Sequence, residues 1–389
     1  MLRLEPAAWT ALLAQEAELR GERVTAVTAQ GVGGRSHLAR YHLTLAGHFD
    51  PITLIGKWTN PTEVQVYRYL APRLSFLTAR CWYSYLEAGR GWLVLDDVPN
   101  DYPAERWHFT DVDAIISDLV SLHTTFWEQD SHLSHHPWLP RRLGYQPGVG
   151  APADLYDEPP FTPASGRFAH DGSRHLDIAL ARAAGGLESL RALGGWPGVL
   201  RQSHLEAAAD LLDDPLPMLR PLQELPQTLL HGNLAVNHWH LTLFGDRRLL
   251  DWHEAAVGPA VCDLVSFVEQ FELLGKEQDG WQFREEWPAS VETIIDSYVL
   301  KMAAEWGSRF NARALRRAIP AARCLYVLLH WLPRFGRWLE QLPNTPPTRQ
   351  KGRYVSDETL AAAGYTDVVE LRPYLAGVFH RFLNAYRRL

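Results

Sequence analysis

Residues Leu229 to Phe267 read LLHGNLAVNHWHLTLFGDRRLLDWHEAAVGPAVCDLVSF, and this stretch decides the fold that we expect for the chain. It opens with His231-Gly232-Asn233 after an apolar run and continues to Asp251-Trp252. Gly245-Asp246 marks a turn, so the following Leu249-Leu250 is expected to end a hairpin strand. The Asp251 carboxylate would then emerge from the core at a position where a hard cation can be held.

The composition indicates a globular protein with a sizeable core. The chain has 389 residues, of which 46% are hydrophobic and 21% charged. A formal net charge of −7 and a pI near 6.2 argue against nucleic-acid or anionic-membrane partners. The three cysteines are scattered, so the sequence predicts neither a disulfide framework nor a CxxC metal site.

The sequence also favours a cytoplasmic location. Its first residues are charged throughout and lack the apolar core of a signal peptide. No apolar run approaches the roughly 20 residues that a membrane-spanning helix needs. We therefore expect no membrane partner.

The region before residue 60 reads as a small antiparallel sheet. Apolar and polar residues alternate from Ala39 to Leu45, which is typical of a half-buried strand. Asp50-Pro51 predicts a turn, and residues 52 to 58 predict a second strand. Asn60 can then cap a helix with Pro61 in its first turn.

Two features of this region suggest phosphate binding. The glycine-rich segment from Gly31 to Ser36 lies between predicted strands, where backbone N–H groups could cover phosphates. An ordinary hairpin turn is the alternative. Only four lysines occur in the chain, and one of them, Lys57, lies on a strand that follows the glycine-rich segment. Lys57 could reach phosphates from there. Alternatively, it could extend from an edge strand to water. Glu63 could pair with Lys57 or complete a capping box with Asn60.

The order and spacing of these motifs resemble the aminoglycoside phosphotransferase and choline kinase family, small-molecule relatives of the protein kinases. The resemblance implies an α+β, bilobal protein-kinase-like fold. It would have a small antiparallel sheet lobe at residues 1–98 and a large, mainly helical lobe at residues 99–389, with the nucleotide between them. Family substrates include aminoglycosides, choline and other metabolites, and no residue of this chain chooses among them.

The same resemblance assigns site residues. Asp251 is expected to bind Mg²⁺, while Asp263 and His231 are expected to hold the backbone of the catalytic loop. Residues 93–98 resemble the linker that contacts adenine through backbone groups. The expected nucleotide-binding residues are Gly31, Gly33, Gly34, Ser36, Lys57, Glu63, Leu95, Asp96 and Val98.

One departure from the family concerns the chemistry itself. The candidate catalytic residues are Asn233 and His231, and Asn233 replaces an acid that would accept or orient the proton of the acceptor hydroxyl. An amide can position a hydroxyl, but it has no basic lone pair with which to take the proton. Loss of a general base typically lowers rates by about 10² to 10⁴, so reduced activity is expected.

A second departure concerns the metal. Where the family has a metal-binding Asn, this chain has His238, and Asn237 is displaced by one residue. Imidazole suits Mn²⁺, Zn²⁺ and other transition ions better than it suits Mg²⁺. Either Asn237 replaces the family residue through a local shift, or the second metal position has changed.

The predicted function is therefore ATP-dependent, Mg²⁺- or Mn²⁺-assisted phosphoryl transfer to a hydroxyl of a small molecule, at a reduced rate. The first alternative is a catalytically silent pseudokinase that binds nucleotide or a partner. A second alternative is a metal-dependent hydrolase built on neighbouring histidines, since His238 and His240 on one strand would share a face. The histidines of that cluster would be His231, His238, His240 and His253.

Overall fold

The computed structural model describes residues 5–15, 19–32, 35–87, 89–128, 132–133, 135–143, 174–192, 195–196, 199–277, 280–340, 357–362 and 366–389. The chain forms two compact units. Unit 1 comprises Met1–Arg106 and His238–Ala255, and unit 2 comprises Trp107–Asn237 and Ala256–Leu389. This division differs from the two predicted lobes, whose boundary at residue 98 stays a prediction.

Unit 1 is built on a five-stranded sheet in which every neighbouring pair is antiparallel. The strand order is β1-β2-β3-β5-β4, so β3 lies in the middle of the sheet. The predicted alternation of apolar residues corresponds to β2, whose Tyr41 and Leu43 are fully buried. The strands are β1 (Val24–Val32), β2 (Arg35–Leu45), β3 (Ile52–Thr59), β4 (Cys81–Glu87) and β5 (Arg90–Asp96).

Two α-helices of the described residues accompany this sheet, and the start of the second follows a local sequence signal. Helix α1 spans Pro6–Leu13 and contributes Trp9 to the core of unit 1. Helix α2 spans Pro61–Tyr69, and the Asn60 side chain accepts a hydrogen bond from the Glu63 backbone N–H at 3.0 Å. The predicted cap and first-turn proline are therefore confirmed.

A hairpin from much later in the chain completes unit 1. Strands β7 (Trp239–Leu241) and β8 (Arg247–Leu249) pair antiparallel across the predicted Gly245 turn. The Leu249 N–H donates to the Leu77 carbonyl at 2.8 Å, which ties the hairpin to the first part of the unit. A short 3-10 turn, Trp252–Glu254, follows directly.

Unit 2 is mainly helical, as expected, and the α+β fold with a small antiparallel sheet is confirmed. Its two short antiparallel two-stranded sheets pair β6 (Gln227–Leu230) with β9 (Ala256–Pro259), and β10 (Leu273–Glu277) with β11 (Gly280–Phe283). Its helices are α3 (Phe109–Thr125), α4 (Arg174–Ala192), α5 (Gln202–Asp213), α6 (Leu216–Gln223), α7 (Val261–Gln270), α8 (Val291–Trp306), α9 (Ala312–Tyr326), α10 (Leu332–Glu340), α11 (Asp357–Ala362), α12 (Thr366–Glu370) and α13 (Arg372–Tyr386).

One long helical stretch contains an irregularity. A π-helical turn at Val327–Trp331 separates α9 from α10. It ends in Trp331, which is fully buried. None of the helices in the described ranges combines the length and apolar character that a membrane span requires.

Helices α4 and α10 approach so closely that only glycine fits at one position. A Cβ atom on Gly186 would overlap the carbonyl oxygen of Leu332, whereas a Cβ on Gly185 would meet nothing within 4 Å. Gly336 on α10 faces this contact, since its own Cβ would lie 3.3 Å from the Gly186 Cα. Substitution of Gly186 therefore tests the close helix contact, whereas substitution of the adjacent Gly185 tests helix propensity alone.

We expect Gly186→Ala to lower the free energy of unfolding by about 1–3 kcal/mol, because the backbone of α10 must shift. Gly185→Ala is the matched control and should raise it by about 0.5–1 kcal/mol through better helix propensity. Urea denaturation of the two variants measures both effects. Equal midpoints for the two variants would contradict the close contact.

Candidate active site

Lys57 lies in the middle of the unit 1 sheet and is only 9% exposed. Strand β3 pairs on both sides, with Leu38 opposite Lys57 on β2 and Leu93 opposite it on β5. The edge-strand alternative for Lys57 is therefore wrong. A buried ammonium group needs charged partners, because desolvation of an isolated charge is costly.

Two carboxylates supply those partners. Lys57 Nζ donates to Glu63 Oε1 at 2.8 Å and to Asp251 Oδ1 at 2.5 Å. Burial alone would lower the pKa of Lys57, but the charges of Glu63 and Asp251 outweigh it and raise the pKa. The lysine is thus held in its charged form.

Glu63 is fully buried and is held by more than the lysine. Its carboxylate also accepts hydrogen bonds from Thr59 Oγ1 at 2.5 Å and from the Trp252 backbone N–H at 3.1 Å. Only its backbone N–H contacts the Asn60 side chain. The Glu63 carboxylate therefore pairs with Lys57, as expected, while only the Asn60 half of the alternative capping box is present, through the Glu63 backbone N–H.

Asp251 follows the β7–β8 hairpin with a left-handed backbone, φ 69° and ψ 56°. His253 Nδ1 lies 2.9 Å from Oδ1, and His238 Nε2 lies 3.4 Å from Oδ2. Burial would raise the pKa of Asp251, but the His253 hydrogen bond and the charges of Lys57 and His238 lower it. Burial would likewise lower the pKa of His253, yet its hydrogen bonds to Asp251 and Glu254 raise the pKa to about 10.

The structure describes the other predicted nucleotide-binding residues except two glycines of the glycine-rich segment. Gly31 lies at the end of β1, opposite Ala39, while Gly33 and Gly34 lie outside the described residues. The Ser36 backbone belongs to β2. In the predicted linker, Leu95 is buried, Asp96 Oδ1 accepts from Trp82 Nε1 at 2.6 Å, and the Val98 carbonyl lies 2.9 Å from His240 Nδ1.

In unit 2, helix α7 holds the predicted catalytic loop. Asp263, in the first turn of α7, accepts hydrogen bonds from the backbone N–H groups of His231 at 2.7 Å and Gly232 at 2.9 Å. Burial would raise the pKa of Asp263, but contacts with His123, His231 and Gly232 lower it. The expected scaffold contact from Asp263 to the loop is therefore present, and the His231 ring is fully buried.

Asn233 is 8% exposed, and its orientation is set from the same helix. Gln270 Nε2 donates to Asn233 Oδ1 at 3.1 Å, and it lies 3.5 Å from the Leu234 carbonyl and 3.0 Å from Ser266 Oγ. Because a carbonyl can only accept, the Gln270 atom facing Leu234 and Asn233 is its amide nitrogen. The Asn233 oxygen is therefore the atom that points towards α7.

Gln270 was missed by sequence reasoning, although a signal was present. Asp263, Ser266 and Gln270 are spaced as i, i+3 and i+7 and so share one face of α7. A polar stripe on an otherwise apolar helix next to a catalytic loop indicates contact with that loop. Arg142 was missed as well, and it donates to the Gly232 carbonyl at 3.1 Å.

The histidine cluster expected for a hydrolase is not assembled. Strand β7 begins at Trp239, so His238 precedes the strand that was expected to carry it together with His240. His240 contacts the Val98 carbonyl instead. Within the part of the chain that the structure describes, no group of three or more His, Cys, Asp and Glu side chains is arranged to hold a metal ion.

The two candidate metal ligands suggested by the sequence, Asn237 and His238, belong to different units of the structure. Asn237 is exposed and belongs to unit 2, whereas His238 belongs to unit 1 with Asp251. The His238 side chain is 14% exposed and that of Asp251 is 30% exposed. Of the two candidates, His238 is the one that the structure brings to Asp251.

Comparison with known proteins agrees with this fold. Residues 61–298 match the phosphotransferase enzyme family. The choline kinase from Cryptosporidium parvum Iowa II aligns with a TM-score of 0.50 at 11% identity, covering 93% of this chain and 89% of that one. An amicoumacin kinase in complex with AMP-PNP and Ca²⁺ aligns at 0.47 and 13% identity, covering 90% and 88%. A choline/ethanolamine kinase family protein from Mesorhizobium loti aligns at 0.44 and 14% identity, covering 98% of each chain.

No curated protein matches the sequence significantly. The bilobal α+β fold is that of the kinase-like phosphotransferases. Because the family match covers more than half of the residues, the chain belongs to the phosphotransferase enzyme family. The match begins after the glycine segment and Lys57, and it includes the whole stretch from Leu229 to Gln270.

We expect Asp263→Asn to lower the free energy of unfolding by about 1–3 kcal/mol, because its amide group cannot accept from both loop N–H groups. Because folding lowers the pKa of the Asp263 carboxyl, its ionised form stabilises the fold at pH values above the unfolded-state pKa of about 3.9. This stabilisation is lost as the pH falls through the lower pKa of the folded state. The difference between wild type and variant should therefore shrink below about pH 3.9. Urea denaturation across pH measures it.

The matched control is Asp246→Asn, which changes an exposed aspartate in the β7–β8 turn. It should leave the free energy of unfolding within about 0.5 kcal/mol of wild type. If Asp263→Asn behaves like this control, Asp263 does not hold the loop.

Proposed function

We propose that the protein transfers the γ-phosphoryl group of ATP to a hydroxyl of a small molecule, at a rate limited by Asn233. The observation that carries this proposal is the buried contact of Lys57 with both Glu63 and Asp251. In kinases, a lysine on the third strand pairs with a helix glutamate and acts with a metal-binding aspartate. Here these residue types come from β3, α2 and the end of the β7–β8 hairpin.

Lys57 would contact the nucleotide phosphates, and Glu63 would hold it ready to do so. Glu63 is fixed by Thr59 and by the Trp252 backbone, so its carboxylate stays in place when Lys57 turns towards a phosphate. Preorganised charge of this kind is the main protein contribution to phosphoryl transfer, which needs alignment and charge neutralisation more than covalent help.

The family implies a divalent metal ion, and the donor set at Asp251 fits one. Asp251 supplies a carboxylate at the end of a hairpin, and His238 supplies an imidazole nitrogen beside it. When bound, the ion would neutralise the phosphate charge that develops during transfer. Nucleotide phosphates and water would complete its coordination, as is usual for ions bound with ATP.

Asn233 would orient the acceptor hydroxyl. Gln270 holds the Asn233 oxygen towards α7 and so sets the orientation of the amide, as it could set that of an aspartate. What changes is the chemistry, because an amide cannot take the proton of the hydroxyl. In a loose transition state that proton can leave late, so slow turnover is compatible with Asn233.

The second candidate is a nucleotide-binding protein without catalysis. The same replacement at Asn233 favours it, because the group that would accept the proton has been lost while Lys57, Glu63 and Asp251 stay in contact. The two candidates share nucleotide binding and differ only in turnover. Separate measurements of binding and of turnover therefore distinguish them.

Nucleotide binding should depend on Lys57. A ligand that binds only the folded protein at 100 times its Kd stabilises it by about 2.7 kcal/mol, so ATP with a divalent ion should raise the melting temperature of the wild type. Lys57→Met should abolish this ATP-induced rise. The matched control, Lys301→Met, removes a lysine from the partly exposed pair with Asp113 and should keep it.

Differential scanning fluorimetry with and without nucleotide checks this expectation. Each variant is compared with its own melting temperature in the absence of ATP, so any loss of stability in Lys57→Met cancels. An equal ATP-induced rise in Lys57→Met and wild type would rule out Lys57 as a phosphate ligand.

Turnover should depend on residue 233. We expect Asn233→Asp to raise phosphoryl transfer by about 10² or more, because the carboxylate restores a proton acceptor and Gln270 can donate to it as it does to the amide. Asn311→Asp introduces the same charge on an exposed helix cap, where aspartate also caps well, and should leave the rate near that of wild type.

Transfer from radiolabelled ATP into a panel of small-molecule alcohols, including choline and aminoglycosides, measures both variants. A detectable wild-type rate that Asn233→Asp raises supports the weakened kinase. Nucleotide binding with no transfer in either protein would leave the silent nucleotide binder as the function.

A further inference from the structure

The β7–β8 hairpin fixes His238 beside Asp251. Trp239 and Leu249 are paired in the ladder, and the Leu250 N–H donates to the His238 carbonyl at 2.9 Å. His238 is therefore held opposite Leu250, one residue before Asp251. These backbone hydrogen bonds hold the two residues next to each other in the hairpin.

The separation of their donor atoms suits a shared ion. His238 Nε2 and Asp251 Oδ2 are 3.4 Å apart. Two ligands that each lie about 2.1 Å from one ion are separated by roughly 3.0–3.4 Å at octahedral to tetrahedral angles. Lys57 and His253 both contact the other oxygen, Oδ1, so the two sides of the carboxylate are used differently.

His253 is a poorer candidate for the nitrogen ligand. Its Nδ1 lies 2.9 Å from Asp251 Oδ1, and its Nε2 lies 3.5 Å from Glu254 Oε1. A carboxylate therefore faces each ring nitrogen, which is the arrangement of a hydrogen-bond donor. His238 directs Nε2 to Oδ2, whereas Lys57 and His253 contact Oδ1.

The chemistry of this pair differs from that of a magnesium site. Mg²⁺ demands oxygen ligands in a nearly ideal octahedron, whereas imidazole suits first-row transition ions. A site with one imidazole and one carboxylate, completed by nucleotide phosphates, therefore discriminates between these ions. That discrimination would be absent if residue 238 offered an amide oxygen.

We propose that His238 and Asp251 bind the nucleotide-associated ion through one nitrogen and one oxygen, so that the site selects a first-row transition ion over Mg²⁺. The proposal rests on the proposed nucleotide-binding function and adds the identity of the ion. It also predicts which substitution changes the selectivity, because only the nitrogen ligand distinguishes this site from one built of oxygen ligands.

The direct test is pulsed electron paramagnetic resonance of the protein with Mn²⁺ and ADP. A directly bound imidazole gives nitrogen modulation of the Mn²⁺ signal, which we expect in the wild type and in His253→Asn. We expect it to disappear in His238→Asn. Nitrogen modulation that persists in His238→Asn, or that His253→Asn removes, would overturn the assignment to His238.

Affinity provides the second measurement. The Kd of ADP is determined with Mn²⁺ and with Mg²⁺ for each protein, and the ratio of the two values is compared. The intrinsic difference between the ions in solution cancels in this comparison, so the wild-type preference for Mn²⁺ should exceed that of His238→Asn by on the order of tenfold.

The outcomes distinguish failure of the ion assignment from failure of the proposed nucleotide-binding function. Tight ADP binding with Mg²⁺, no nitrogen modulation and equal ratios in wild type and His238→Asn would refute the ion assignment and leave the proposed function intact. No ADP binding with either ion would refute the proposed function and this inference together.

Discussion

The ammonium group of Lys57 carries a positive charge into the interior of the unit 1 sheet, and the rest of that unit is arranged to accommodate it. A buried charge is tolerated only with close counter-charges and satisfied hydrogen bonds. Glu63 comes from the helix that follows β3, and Asp251 comes from the turn after a distant hairpin. The contacts of this one group therefore join the sheet, α2 and the β7–β8 hairpin into a single compact body.

Unit 2 uses a buried carboxylate in a comparable way. Asp263 accepts hydrogen bonds from two backbone N–H groups of the loop just before Asn233. Gln270, at the other end of the same helix, donates a hydrogen bond to the Asn233 side chain. Helix α7 thus fixes the backbone and the side chain of the loop independently. Replacement of the expected acid by an amide alters the proton chemistry at residue 233 without dismantling the support around it.

Much of this arrangement can be predicted from local sequence. Alternation predicted β2, Asn60-Pro61 predicted the start of α2, and the Gly245 turn predicted the hairpin that precedes Asp251. The central position of Lys57 could not be predicted, because it depends on a later strand, β5, pairing with the second edge of β3. The polar stripe of α7 indicates a contact with the loop, but which loop atom Gln270 reaches depends on how α7 packs, and spacing alone does not determine that packing.

Unit 1 is discontinuous in the chain, and this affects the order in which it can form during synthesis. Lys57 and Asp251 are 194 residues apart. At ribosomal rates of about 5–20 residues per second, Asp251 follows Lys57 by on the order of 10–40 s. During that interval the nascent sheet has Glu63 as its counter-charge for Lys57, but it lacks the hairpin that completes the unit. Unit 1 is therefore incomplete until the first segment of the helical unit, Trp107–Asn237, has already been synthesised.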